Sequence, residues 1–276
     1  MVRTSTDIRP SPLAGKWYPA DRDSLVKMMD RFLSAVQPHQ INGVIRGLLA
    51  PHAGLLYSGP VAAHAYALVK GMSFDTVVVI GPMHHLMPGE VLTTAHTAYQ
   101  TPLGTILVDQ EALAAIGKTI HLDFIRNDPE HSVEIELPFL QHVLEPGFSL
   151  IPLMLRDQSL AKAQALGAAL AGVLKDRRVL LVASSDLSHF YSQDIALPLD
   201  KTMLDCVAAM DARQVIEYNE HGKAFACGHG AIATVINVLQ AWNTTRAEIV
   251  GYGTSGDVTG DFSRVVGYGA TAFWQE

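Results

Sequence analysis

Hydrophobic residues along the chain occur at two spacings that are typical of different elements. Unbroken apolar runs are typical of strands buried on both faces, whereas apolar positions repeated every three to four residues are typical of helices. Mainly apolar segments at residues 43–50, 76–80, 149–155 and 178–183 are predicted as strands, and the segment at 76–80 is an unbroken run. Helical spacing lies at residues 24–36, 60–69, 109–119, 159–174, 198–210, 212–219 and 228–242. The pattern therefore predicts strands that alternate with helices.

Shorter segments complete this pattern. Residues 91–94, 105–108, 247–252 and 263–273 are predicted as further strands. Residues 132–143 have helical spacing, and Pro138 must either kink this helix or mark its true first turn. Because strands joined through helices run parallel, the predicted fold class is α/β, with a mixed central sheet and a parallel core flanked by helices. Residues 1–276 are expected to form a single domain, because no repeat or linker divides them.

Composition and charge limit the classes of partner. The chain has 276 residues, of which 49% are hydrophobic, enough for a large core. Its formal net charge is -7 and it has no basic stripe, which argues against a nucleic-acid partner. No apolar run reaches the length of about 18 residues that spans a membrane. Since residues 1–12 also lack the apolar core of a signal peptide, we expect a cytoplasmic protein.

Histidine and cysteine residues lie at four turns that border apolar runs. His52 follows the first predicted strand, His84 and His85 follow the second, His189 follows a third, and Cys227 precedes a helix. The carboxyl ends of parallel strands meet at one edge of a sheet, where α/β proteins bind ligands. Imidazole nitrogen and thiolate sulfur both bind transition metals. The turns therefore predict a metal site, which one of the adjacent histidines would face while the other binds substrate or supports a ligand.

Two pairs of residues could move protons beside such a site. Asp186 lies three residues before His189, and a carboxylate near an imidazole orients its tautomer and raises its basicity. The alternative for Asp186 is a helix N-cap. His131 and Glu134 are also three residues apart, so that on a helix they would share a face. They could support a ligand or relay protons, although a solvated helix face explains the same spacing.

Cys227 lies at the predicted start of an apolar helix, between Ala226 and Gly228. Free N–H groups and the helix dipole at such a position are expected to lower the pKa of a thiol. The thiolate would then serve as a soft metal ligand or as a nucleophile. A packed and inert cysteine at a glycine-rich turn is the alternative.

Seven short motifs, taken together, resemble the Memo family, the protein B component of the AmmeMemoRadiSam system. The motifs run in order along the chain and are AGKWYP at 14–19, APHAG at 50–54, GPMHH at 81–85, EHSVE at 130–134, SSD at 184–186 with His189, ACG at 226–228 and SGDVTGD at 255–261. The resemblance implies a fold similar to class III extradiol ring-cleavage dioxygenases. Those enzymes hold non-haem Fe(II) with two histidines and a carboxylate.

The resemblance also implies roles for individual residues. The two metal-binding histidines correspond to His52 and His84, and Cys227 stands where the dioxygenases have their carboxylate. His189 falls at the position of the acid/base histidine, with Asp186 expected to orient it. The residues expected to support the ligands or to line the pocket are His85, His131, Glu134, Trp17 and Tyr57.

Three functions are consistent with these residues. The first is a dioxygenase-like redox enzyme of unknown substrate with one transition-metal ion, Fe(II) by resemblance, or Cu or Zn because a thiolate also suits them. The second is a hydrolase that uses either a Zn-activated water or Cys227 as its nucleophile with His189 as the base. The third is a non-catalytic module whose vestigial pocket binds a peptide or protein. The resemblance further implies a functional link to AMMECR1-like and radical SAM proteins.

Overall fold

The carboxyl ends of four parallel strands position the candidate site in this protein. The computed structural model describes residues 7–37 and 39–276. The strands in these ranges are β1 (Ile8–Arg9), β2 (Val44–Ala50), β3 (Thr76–Pro82), β4 (Val91–Thr94), β5 (Ala98–Thr101), β6 (Gly104–Leu107), β7 (Asp123–Ile125), β8 (Ser149–Leu155), β9 (Val179–Ser184), β10 (His189–Tyr191), β11 (Arg246–Thr254) and β12 (Val265–Gln275). The α-helices are α1 (Arg22–Ala35), α2 (Leu55–Ala67), α3 (Gln110–Ile116), α4 (Leu137–Val143), α5 (Leu160–Leu174), α6 (Gln193–Ala208), α7 (Ala212–Glu220), α8 (His229–Ala241) and α9 (Gly256–Thr259).

Nine of these strands form one large mixed sheet. Its order is β10-β12-β2-β9-β3-β8-β4-β7, with β11 paired to β12. The central strands β2, β9, β3 and β8 are parallel, whereas β12 and β4 join them antiparallel. Strands β1, β5 and β6 form a separate small sheet. The predicted fold class, α/β with a mixed sheet and a parallel core, is confirmed.

Helices cover the central strands and bury most of their residues. Every residue of β3 and β9 is buried, as the unbroken apolar runs predict. Helix α8 packs on β2, β3 and β9 and against α5 and α7. A second group, α1, α2 and α4, packs together, with α2 also contacting β2, β11 and β12. The described helices include none that is long and apolar enough to cross a membrane.

The register aligns the ends of the central strands. Ala50 at the end of β2 lies opposite Ser184 at the end of β9, and Pro82 at the end of β3 lies opposite Leu155 of β8. Since these strands are parallel, the turns that follow them emerge on the same edge of the sheet. The residues after Ala50, Pro82 and Ser184 are therefore neighbours although they are far apart in sequence.

The structure also decides the open question at residues 132–143. Residues Glu134–Glu136 form a single 3₁₀ turn, and Pro138 then lies in the first turn of α4. Proline is favoured there because its missing N–H has no helical partner in the first turn. Helix α2 differs from the prediction, since it begins at Leu55 and contains Pro60 rather than beginning there. Strands β1, β5 and β10 were not predicted, and β1 and β10, with two and three residues, are too short to show a periodicity.

Candidate metal centre

Three histidine side chains meet at the carboxyl edge of the sheet. His52 follows β2, His84 follows β3, and His131 precedes the 3₁₀ turn. One nitrogen from each ring lies within 4.8 Å of the others. The ring centroids of His84 and His131 are 4.5 Å apart, and each is 5.3 Å from the centroid of His52. These residues form the only such group of histidine, cysteine and acidic side chains among the described residues. We call it the histidine cluster.

The carboxylate of Glu130 orients two rings of the cluster. Its Oε1 atom is 2.9 Å from Nδ1 of His84 and 3.2 Å from Nδ1 of His131. Backbone N–H groups of His131, Ser132 and His84 also donate to this carboxylate. A carboxylate on the remote nitrogen is the usual partner of a metal-bound histidine, because it fixes the ring and its tautomer. Nε2 of both rings is thereby left for a ligand.

His52 is held by a hydroxyl group instead. Its Nδ1 atom is 2.9 Å from Oγ of Ser184, the last residue of β9. The same Oγ is 2.5 Å from the carbonyl oxygen of Ser132 and 2.9 Å from Oε1 of Glu136. His52 is fully enclosed at this position, with 1% of its surface exposed. Its Nε2 atom, like those of the other two rings, faces the candidate site.

Burial sets the charges of the cluster. Burial, followed by repulsion from His131 and His84, lowers the pKa of His52 well below its ordinary value. Burial also lowers the pKa of His131 to about 4, against the attraction of Glu130. For Glu130, burial opposes ionisation, but the hydrogen bonds from His84 and Ser132 and the attraction of the neighbouring histidines together outweigh it and lower the pKa of the carboxyl group. At neutral pH the site thus presents His52 and His131 as neutral imidazoles beside the Glu130 carboxylate, the protonation states that metal binding requires.

Cys227 borders the cluster, with its Sγ atom 3.1 Å from Nε2 of His52. The expectation that the helix lowers its thiol pKa is wrong: burial, followed by the nearby Asp186, raises the pKa of Cys227. Backbone N–H groups of Asp186 and Gly228 act to lower this pKa, but burial outweighs them, and the N–H of Gly230 donates to Gln158 instead.

No hydrogen bond joins Asp186 to His189. Its Oδ1 atom accepts hydrogen bonds from the backbone N–H groups of His52 and Ala53, at 2.8 and 3.3 Å. The carboxyl group is buried, which raises its pKa to about 7. Asp186 also caps no helix, because the chain continues from β9 through a turn into β10. It therefore fixes the turn that carries His52.

His189 is the first residue of β10. Its Nδ1 atom is 2.8 Å from the carbonyl oxygen of Leu187. This contact uses Nδ1 and not Nε2. Burial lowers its pKa. His189 and Cys227 line a cavity of about 290 Å³ together with Tyr191, Phe225 and other residues. The rings of Tyr191 and Phe225 stack in this cavity, with centroids 5.8 Å apart.

Comparison with known proteins identifies the family. The model of the Memo-like protein family matches residues 9–272. The MEMO1 family protein of Nitrosopumilus maritimus is 35% identical over 96% of this chain and 99% of its own length. The MEMO1 family protein of Methanopyrus kandleri is 35% identical over 96% and 98%, and that of Methanosarcina barkeri is 33% identical over 95% and 98%.

The chain belongs to the Memo family. The family resemblance that seven short motifs indicate is confirmed over nearly the whole chain. Six of those motifs, at residues 14–19, 50–54, 81–85, 130–134, 184–186 and 226–228, supply the side chains in and around the histidine cluster.

The remaining site residues predicted for this Memo protein lie at different distances from the cluster. Trp17 packs on His131, with ring centroids 4.4 Å apart, and its carbonyl oxygen accepts from Leu55. Tyr57 is exposed on the first turns of α2. His85 is exposed beside His84. Glu134 lies outside the cluster.

Glu134 is fully buried among residues of the N-terminal segment. Its carboxylate pairs with Arg9 at 2.5 Å and accepts hydrogen bonds from Ser11 and Tyr18. Because residues 134–136 form a 3₁₀ turn, Glu134 and His131 do not share the face of an α-helix that their spacing suggests. The carboxylate anchors the N-terminal segment instead.

Two acidic residues of the site were missed by sequence reasoning. Glu130 begins the EHSVE motif and binds two histidines, and Glu136 reaches His52 through Ser184. The signal that could have found Glu130 is its position directly before His131, since a ligand histidine needs an acceptor on its other nitrogen. No comparable signal in the sequence marks Glu136.

Proposed function

We propose that this Memo protein binds one transition-metal ion at the histidine cluster and uses it for redox chemistry on a small molecule in the adjoining cavity. The observation that supports a metal is the convergence of three imidazoles whose Nδ1 atoms are all occupied by Glu130 or Ser184. Imidazole donors suit iron, copper and zinc alike. Fe(II) is the ion we propose, from the resemblance to extradiol dioxygenases, with Cu or Zn as alternatives.

Four donors compete for the three positions of a facial site. His52 and His84 belong to both candidate sets. The third ligand is either Cys227, as the family resemblance implies, or His131, whose ring lies in the cluster. The 3.1 Å separation between Sγ of Cys227 and Nε2 of His52 suits two ligands about 90° apart on one ion, given bond lengths of about 2.3 and 2.1 Å.

Side chains around the ion would transfer protons and position its ligands and the substrate. A bound iron or copper ion supplies electron transfer and reaction with dioxygen. His189 faces the cavity through an Nε2 atom that can hold or release a proton, because its Nδ1 is bound to the carbonyl oxygen of Leu187. Asp186 keeps the His52 turn in place, and Tyr191 and Phe225 give the cavity an apolar, aromatic wall.

Metal content of purified variants tests the binding site. We expect about one ion per chain in the wild type and a loss of binding in His52→Ala and His84→Ala. A loss in either Cys227→Ser or His131→Ala identifies the third ligand. The matched control is His121→Ala, a histidine with 85% of its side chain exposed, which should keep full metal content. Equal metal in all variants would refute the site.

The redox activity needs a separate experiment. We expect the iron-loaded protein to consume dioxygen with catecholic or other small aromatic probes, and His189→Ala to reduce the rate about 10²- to 10⁴-fold without loss of metal. Metal binding with no oxygen consumption across such probes would count against the redox function alone.

Cysteine-dependent hydrolysis is a second candidate, and one contact favours it. Cys227 and His52 lie 3.1 Å apart, within the range of a nucleophile and its base. Burial of the thiol works against it, because the thiolate is the nucleophile and burial raises the pKa of Cys227. An activity on ester probes that survives a chelator and disappears in Cys227→Ser would support this function over the metal-dependent one.

A further inference from the structure

A chain of buried hydrogen bonds runs behind His52, away from the candidate metal. It consists of Tyr66, Glu136 and Ser184 and ends at Nδ1 of His52. The distances are 2.7 Å from the Tyr66 hydroxyl to Oε2 of Glu136, and 2.9 Å from Oε1 of Glu136 to Oγ of Ser184. The side chains of Tyr66, Glu136 and Ser184 are almost completely buried. Since solvent does not reach them, every proton in the chain must be satisfied by a neighbour.

The carbonyl group of Ser132 determines the direction of these bonds. Its oxygen lies 2.5 Å from Oγ of Ser184, and a carbonyl oxygen can only accept. Two oxygens at that distance repel unless a proton lies between them, so the single proton of the Ser184 hydroxyl must point to Ser132. Oγ of Ser184 can then only accept from its other two neighbours, Glu136 and His52.

Two protonation states follow. Glu136 has to carry a proton on Oε1 to donate to Ser184, and its Oε2 accepts from the Tyr66 hydroxyl. His52 has to carry its proton on Nδ1, which leaves a lone pair on Nε2 toward the candidate metal and Cys227. We infer that Glu136 is a neutral carboxylic acid that, through Ser184, fixes His52 as the Nδ1–H tautomer and so keeps its Nε2 free to bind a ligand.

The surroundings of Glu136 agree with a neutral side chain. No cation lies among its hydrogen-bond partners, which are a phenol and a serine hydroxyl. Burial, with a contribution from the Asp186 carboxyl, raises the pKa of Glu136 to about 8. Glu130 is the contrast: it accepts from several N–H groups and serves the other two histidines as an anion. The two glutamates therefore give the cluster one neutral and one anionic support.

The consequence for metal binding rests on the proposed function, but the protonation states do not and are tested without metal. Infrared spectra of the metal-free protein at pH 7 should show the stretch of a protonated carboxyl group that Glu136→Gln removes. The control is Glu134→Gln, because Glu134 is equally buried but paired with Arg9, and it should leave that band in place. A wild-type spectrum without the band would overturn the inference.

Nitrogen NMR of histidine-labelled, metal-free protein reports the tautomer directly. We expect His52 to be protonated on Nδ1 in the wild type and in Glu136→Gln, whose amide can donate to Ser184 and accept from Tyr66 in the same pattern. Ser184→Ala and Glu136→Met should give a mixture of tautomers and weaken Zn²⁺ or Co²⁺ binding about 10- to 100-fold.

Two results would contradict the positioning role. One is an Nε2–H tautomer of His52 in the wild type, and the other is an unchanged tautomer in Ser184→Ala. If Glu136→Met does not fold, the comparison of wild type, Glu136→Gln and Ser184→Ala still decides the question. A failure to bind metal in all proteins, with the Nδ1–H tautomer intact, would refute the proposed metal site and leave this inference standing.

Discussion

Replacing Glu136 by glutamine should stabilise the metal-free protein at alkaline pH. In the folded protein burial raises the pKa of Glu136 to about 8, whereas the ordinary value is 4.5. Below pH 4.5 the side chain is protonated in both the folded and the unfolded state. As the pH rises toward 8, folding has to take up a proton, so wild-type stability falls through this window. Glutamine keeps the hydrogen bonds to Ser184 and Tyr66 and has no proton to take up.

The magnitude follows from the width of the window. Each pH unit between 4.5 and 8 changes the free energy of unfolding by about 1.4 kcal/mol for a group that takes up one proton. The stability difference between Glu136→Gln and wild type should therefore grow to about 3 kcal/mol at pH 7 and about 5 kcal/mol above pH 8. These values include only Glu136, because the nearby Asp186 carboxyl titrates in both proteins.

Urea unfolding of the metal-free proteins, followed by circular dichroism from pH 5 to pH 9, measures this difference. The control is Glu111→Gln, an exposed glutamate on α3, whose curve should run parallel to that of the wild type. A constant difference between Glu136→Gln and wild type from pH 5 to pH 8 would refute a neutral, buried Glu136. Glu136→Gln could be less stable than the wild type at pH 5 because its amide packs differently. A stability difference that then grows with pH would still support a neutral Glu136.

Three further substitutions test other parts of the structure. Glu130→Gln removes the anion behind two rings of the histidine cluster and should weaken Zn²⁺ binding about 10- to 100-fold in a competition with a chelator; unchanged affinity would contradict this. Arg9→Met leaves the buried carboxylates of Asp128 and Glu134 without their cation and should lower the free energy of unfolding by about 3–5 kcal/mol in chemical denaturation. A loss of less than about 1 kcal/mol would be inconsistent with the buried ion pair. Gly81→Ala places a methyl group 2.5 Å from Oγ of Ser132 and should cost about 1–3 kcal/mol and reduce metal content. Its control is Gly172→Ala, which has open space and should be neutral or stabilising; equal effects of the two would argue against the close contact.

Sequence patterns predicted the structure correctly where burial of a whole strand or the topology of the sheet determines it. The apolar runs of β3 and β9 predict strands buried on both faces, because an unbroken run cannot face water on alternate positions. His52 and His84 follow their strands by only a few residues, so the topology of an α/β sheet brings them together without any detail of packing. The family resemblance implies the same two residues, His52 and His84, as metal ligands.

Sequence reasoning failed where the direction of a side chain depends on a backbone that is neither helix nor strand. The spacing of His131 and Glu134 suggested a shared helix face, but a 3₁₀ turn sends Glu134 to the N-terminal segment and leaves Glu136 facing Ser184. Asp186 and His189 were paired by spacing in the same way. An extended turn between β9 and β10 separates them instead.

The alternation of strands and helices, the parallel core, the family and two of the histidines at the carboxyl edge were all predictable from the amino-acid sequence. Hydrophobic periodicity and strand topology are enough for these features, because burial acts on whole faces of an element. Which acidic group supports which histidine could be assigned only from the folded protein. That choice depends on contacts between Ser184 and Glu136 and between Glu130 and His84, which are 48 and 46 residues apart, and a hydrogen bond requires its partners to be placed within a few tenths of an ångström.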